Sequence, residues 1–217
     1  MASLILTAAA MNTSGNEPER NPPTDWVARD VLALLSEINE TFVRLLADRA
    51  VLTDETRTDF IGALRELLCR SDAPTKAAHA PVLLLDIGFH DPDWWTVLAR
   101  EPSRMAALGR SPFPREDAVE LSRATLMLAW HLSRADLASC LILLGLSLPV
   151  ARIVGTLRPK QIDQIAESHY ARLRPRWEDR PSVWQQLLSG TETDQASMRT
   201  FAIRALELSL ASTQRTA

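Results

Sequence analysis

Residues 141–167 read LILLGLSLPVARIVGTLRPKQIDQIAE. An apolar helix runs into Gly145, a Leu-Ser turn follows, and a second helix opens on Pro149, where a missing N–H costs nothing. That is the outline of a helix-turn-helix, whose second helix enters the major groove. Specific readout needs Arg, Asn, Gln or Lys aimed at base edges. LPVARIVGTL offers Arg152 alone, while Val150, Ile153, Val154 and Leu157 make it apolar around most of its circumference. The expectation is a helix that packs rather than one that reads.

Outward from this stretch the texture is helical. Val27, Val31, Leu34, Leu35, Ile38, Phe42, Leu45 and Leu46 recur at three- and four-residue steps, one stripe of a long amphipathic helix N-capped by Thr24. TDETRTDFIGALRELLCR predicts a second helix, capped by Thr53 or Asp54. SDAPTKAAHAP is a break or a short helical turn. VLLLDIGF, residues 82–89, has strand length, and Asp91 caps a helix whose first residue is Pro92. A long helix over FPREDAVELSRATLMLAWHLS follows, then the quoted stretch. YARLRPRW, residues 170–177, is extended in character. A short helix holds Pro181 in its first turn and Gly190 as terminator, and a last helix spans residues 193–212.

The second half repeats the order of the first. A shift of 89 residues lays Pro92 on Pro181, Trp95 on Trp184, Leu98 on Leu187 and Leu68 on Leu157. The reading is an all-α fold of two helical repeats, residues 24–112 and 113–217, after a disordered leader over residues 1–23. The two extended runs occupy equivalent places, and a lone short strand leaves its N–H and C=O groups unpaired. They are expected to pair as a short β-ribbon about a pseudo-two-fold axis, with the long helices, residues 25–49 and 115–133, packed together.

Composition narrows the function. The chain has 217 residues, 46% hydrophobic and 24% charged, which suits a globular fold. Its net charge of −3 argues against a stand-alone DNA binder, which usually carries a basic excess. Cys69 and Cys140 read as reduced cysteines of a cytosolic core, and no histidine spacing completes a zinc site. No apolar run reaches the ~18–20 residues that span a bilayer. The apolar start lacks the preceding positive charge of a secretory signal, and Met11 offers a second start. His90, Asp91 and Asp93 lack further ligands, so helix capping explains them better than a metal site. No phosphate loop, Ser-His-Asp set or GxSxG occurs, so neither enzyme activity nor a cofactor is expected.

The cations are concentrated locally. Between residues 152 and 180 stand Arg152, Arg158, Lys160, Arg172, Arg174, Arg176 and Arg180, against Asp163, Glu167, Glu178 and Asp179. In an extended segment Arg172, Arg174 and Arg176 project on one side, a row suited to phosphate contact. A solvated face, or a surface for an acidic partner, is the competing reading. Trp94, Trp95 and Trp184 read as core residues or as interface anchors.

Residues 117–213 resemble FlhD, the smaller subunit of the FlhDC activator of flagellar genes. The likeness is carried by LILLGLSLPVARIVGTLRPKQIDQIAE, with its Leu-Gly turn, apolar helix and helix ending Ile-Ala-Glu, and runs on through ARLRPRW into WQQLL. LLSEINETFVRLLADRAVLTDETR resembles the family's first helix more weakly. The resemblance implies a mostly helical subunit of a transcriptional activator. Its partners would be a zinc-binding FlhC-like subunit, promoter DNA bound through the complex, and RNA polymerase, all cytoplasmic. Relatives on conjugative elements switch on transfer genes. A chain with two such units would stand in for an FlhD dimer. A helical adaptor or anti-activator that binds only protein is the alternative.

Overall fold

The computed structural model describes residues 24–49, 55–69, 72–103 and 111–189. The leader, the caps at Thr53 and Asp54, Gly190 and the last helix lie outside these residues. So does the side chain of Thr24. In chain order come α1 (Thr24–Arg49), α2 (Glu55–Leu68), α3 (Ala73–Ala78), β1 (Leu85–Asp86) and α4 (Pro92–Arg100). The second half gives α5 (Arg115–Ala135), α6 (Leu137–Leu143), α7 (Leu148–Thr156), α8 (Pro159–His169), a 3-10 turn (Tyr170–Arg172), β2 (Arg174–Pro175) and α9 (Pro181–Ser189). The fold is all-α, with one two-residue ladder among the described residues.

The helices form where apolar periodicity and capping agree. α1 buries Val31, Leu35, Ile38, Phe42 and Leu46 on one stripe, and α5 buries Leu121, Leu128 and Leu132. Each such side chain contributes roughly 1.5–3 kcal/mol by leaving water. α5 stops at Asp136, whose N–H still donates to Leu132 O while its carboxylate accepts from Ser139 N at 3.1 Å and starts α6. The Ser139 hydroxyl and N–H hold that carboxyl below its usual pKa. Asp91 does the same for α4, accepting from Trp94 N at 3.0 Å with Pro92 in the first turn.

The two extended runs pair, antiparallel, with Leu85 opposite Pro175 and Asp86 opposite Arg174. Under the shift of 89, Leu85 falls on Arg174 and Asp86 on Pro175, so the pairing exchanges equivalent positions as a local two-fold axis does. Left-handed backbone follows at equivalent places, Gly88 with φ 82° and Trp177 with φ 59°. The ladder is much shorter than the eight-residue run VLLLDIGF predicts. Asn39 of α1 explains why. Its side chain donates to Ala80 O and Val82 O at 3.3 and 3.0 Å and accepts from Leu84 N at 3.0 Å, while Leu83 N donates to Leu143 O. With those backbone groups satisfied from outside, no neighbouring strand is required.

One core runs through both halves. α1 packs on α3 and α5, and α5 packs on α7 and α8. The short tryptophan helices cross over: α4 packs on α7 of the second half, and α9 on α2 and α3 of the first. Each half is therefore closed by a helix of the other. Among the described residues no helix is long and apolar enough to cross a membrane.

Candidate nucleic-acid interface

α7 buries Val150, Ala151 and Val154, and Trp130 Nε1 donates to Leu157 O at 2.8 Å to close its end. The helix packs, as its composition requires, and Arg152 points away into solvent. At the next corner Arg158 N donates to Gln161 Oε1 at 2.9 Å, and Gln161 Nε2 donates to Ala99 O at 2.9 Å. This amide ties the N-terminus of α8 to the C-terminal end of α4. Arg158 and Lys160 are both exposed at that N-terminus, where the helix dipole adds positive potential.

Arg100, the exposed last residue of α4, joins this corner through the Gln161–Ala99 bond. Sequence reasoning missed it. No local pattern links positions so far apart, and only packing of α4 on α7 brings them together. Among the described residues Arg100, Arg152, Arg158 and Lys160 form no ion pair, whereas the nearby acids are occupied. Asp163 and Glu167 on α8 bind Arg123 at 2.9 and 3.2 Å, and Glu167 binds Arg115 at 2.8 Å.

The expected row of Arg172, Arg174 and Arg176 does not exist. Residues 170–172 wind into a 3-10 turn, which destroys the alternation of an extended strand. Arg172 lies 4.0 Å from the Trp94 ring centroid and 3.5 Å from Asp91 Oδ2. Arg174 pairs with Asp86 Oδ2 at 3.3 Å. Arg176 is buried, its guanidinium donating to Leu83 O at 3.2 Å and stacking 4.7 Å from the Trp177 ring centroid. Burial pulls its pKa down to about 10, with the Asp86 carboxylate opposing, so it stays charged at neutral pH. It holds the fold together and presents no charge to a phosphate.

The tryptophans are core residues rather than interface anchors. Trp94, Trp95 and Trp184 are buried, with Trp95 Nε1 donating to Gly88 O at 2.9 Å and Trp184 Nε1 to Arg176 O at 2.8 Å. The indole N–H groups of Trp95 and Trp184 need these partners inside. Cys140 is buried, which pushes its thiol pKa up, but Cys69 is exposed and not in the core as expected. Among the described residues no group of three or more His, Cys, Asp and Glu side chains is placed to hold a metal.

No curated protein matches the chain, and no solved structure does. The family model described as flagellar transcriptional activator (FlhD) matches residues 115–214, which include Arg152, Arg158 and Lys160 but not Arg100. That family is one of transcriptional regulators rather than enzymes. The match agrees with the resemblance carried by residues 141–167: the C-terminal part of the chain is similar to FlhD.

Proposed function

We propose that the chain is a subunit of a heteromeric transcriptional activator, acting in the cytoplasm. On this reading it binds promoter DNA together with a zinc-binding FlhC-like partner, and the complex recruits RNA polymerase. The observation that carries the DNA role is the α7–α8 corner, where Arg152, Arg158 and Lys160 stand exposed and, among the described residues, without an ion-pair partner. Three or four cations suit positioning on the phosphate backbone, not reading of bases. They are few, and the chain carries a net charge of −3, so the partner supplies most of the affinity.

We further propose that residues 24–112 and 113–217 are two FlhD-like repeats and that one chain takes the place of an FlhD dimer. The exchange register of β1 and β2 and the crossed packing of α4 and α9 support this. The deciding experiment titrates a labelled promoter duplex with the chain alone and with its co-purified complex across a salt series. Weak, salt-sensitive binding by the chain and tight binding by the complex is the expected result. A complex that fails to bind DNA leaves the protein-only adaptor as the function.

A further inference from the structure

The long helices α1 and α5 leave between them an open groove of about 1000 Å3. Ile38, Leu45, Leu121 and Leu128 lie along its floor, and Leu34 and Met127 stand in its walls, 49% and 39% exposed. On α1 the lining runs from Leu34 to Asp48, on α5 from Asp117 to His131. Each wall is four turns long, about 21 Å at 1.5 Å per residue. Midway along each stands a small side chain, Thr41 on one and Ala124 on the other. A third helix can therefore approach both walls at ordinary helix-packing distance.

The rim selects the occupant. Glu37 and Asp48 from α1 face the groove together with Asp117 and Glu120 from α5, against Arg44 and His131. Among the described residues Glu37, Asp48 and Glu120 have no ion-pair partner. A second copy docked through this same face would set acidic rim against acidic rim, which opposes association. Residues 193–212 of this chain hold two acidic and two basic residues, Asp194, Glu207, Arg199 and Arg204, and offer no net complement. An apolar floor between carboxylate rims calls for an apolar stripe flanked by lysine or arginine.

We infer that the α1–α5 groove is a docking site for a cationic amphipathic helix of about four turns, supplied by a partner protein. It is distinct from the basic α7–α8 corner, so the subunit joins a cationic protein segment on one surface and phosphates on another.

The test uses the full chain and three labelled peptides of about fourteen residues, four helical turns. One has leucines at i, i+3, i+4 and i+7 with lysines elsewhere, one replaces lysine by glutamate, and one scrambles the leucine/lysine order. Fluorescence anisotropy is expected to show the patterned lysine peptide bound at least tenfold tighter than both others. The double variant Glu37→Lys, Glu120→Lys is expected to reverse the preference toward the glutamate peptide, a gain that misfolding does not produce. Equal binding of the peptides, or an unchanged preference in the variant, overturns the proposal. A photo-cross-linking amino acid at position 124 reports the other occupants. Cross-linking to the lysine peptide supports the site, whereas attachment to residues 193–212 or to a second copy overturns it.

Discussion

The guanidinium of Arg176 fills the space into which a side chain on Gly145 would project. Gly145 lies in the turn between α6 and α7 with φ 68°, a conformation that costs other residues strain. Arg176, beyond β2, reaches back through that gap to Leu83 O. The Leu-Gly turn therefore has two roles: it redirects the chain, and it admits a buried cation that locks β2 against the segment before β1. Gly145→Ala is expected to cost about 2–4 kcal/mol, strain plus displacement of a buried hydrogen-bonded charge. Urea denaturation checks this. In the double variant Gly145→Ala, Arg176→Ala the loss should fall short of the sum of the single losses, because the clash is counted in only one of them.

Replacing Arg152, Arg158 and Lys160 together by Ala should weaken DNA binding by the complex on every sequence tested. The slope of log affinity against log salt should flatten by about 0.9 for each phosphate that is no longer neutralised. Thermal stability should stay within about 0.5 kcal/mol of the parent, since surface positions without partners contribute little. Arg176→Ala should do the reverse, lowering the melting temperature first and affecting DNA only through the damaged fold. Anisotropy and calorimetry on the same samples separate the two.

Acid should weaken the fold before its carboxylates titrate. Burial lowers the pKa of His169 below 6.5, with nearby Arg172 adding to the effect and the hydrogen bond to Pro102 O opposing it. His90 is lowered by burial against the opposing charge of Asp86. A depressed histidine pKa favours the neutral ring in the folded state, so the unfolded chain binds the proton first. Stability is complete above pH 6.5 and falls as the pH drops from there through the folded pKa values. Urea midpoints between pH 7.5 and 5.5 should decline. They should decline less in His169→Gln, whose amide can still donate to Pro102 O.

Trp184→Phe should destabilise more than Trp95→Phe. Each removes an indole donor, from Arg176 O in one case and from Gly88 O in the other, but Gly88 O still accepts from Asp91 N at 3.2 Å. The cost of a lost donor to a buried acceptor, about 1–3 kcal/mol, therefore falls on Trp184→Phe more than on Trp95→Phe. Urea denaturation of the two single variants checks the order, and equal losses would overturn it.

What the sequence determined by itself was local or periodic. The stripes of α1 and α5, the aspartate cap and first-turn proline of α4, and the packing character of α7 follow from spacing and from backbone groups within a few residues. The pairing of β1 with β2 was legible too, because two extended runs 89 residues apart each needed a partner. Tertiary structure decided the length of that ladder, since Asn39 of α1 satisfies the backbone that a longer strand would have used. It also decided the fate of the arginines. Arg172 and Arg174 found carboxylates on the first half, Arg176 went inside behind Gly145, and Arg100 came to the α7–α8 corner through Gln161. A guanidinium has no preference encoded in its own neighbours; it goes where a distant chain segment offers a carbonyl, a carboxylate or an aromatic face. The acidic groove is likewise a property of two helices meeting, with each rim an ordinary solvated face until the other lies beside it.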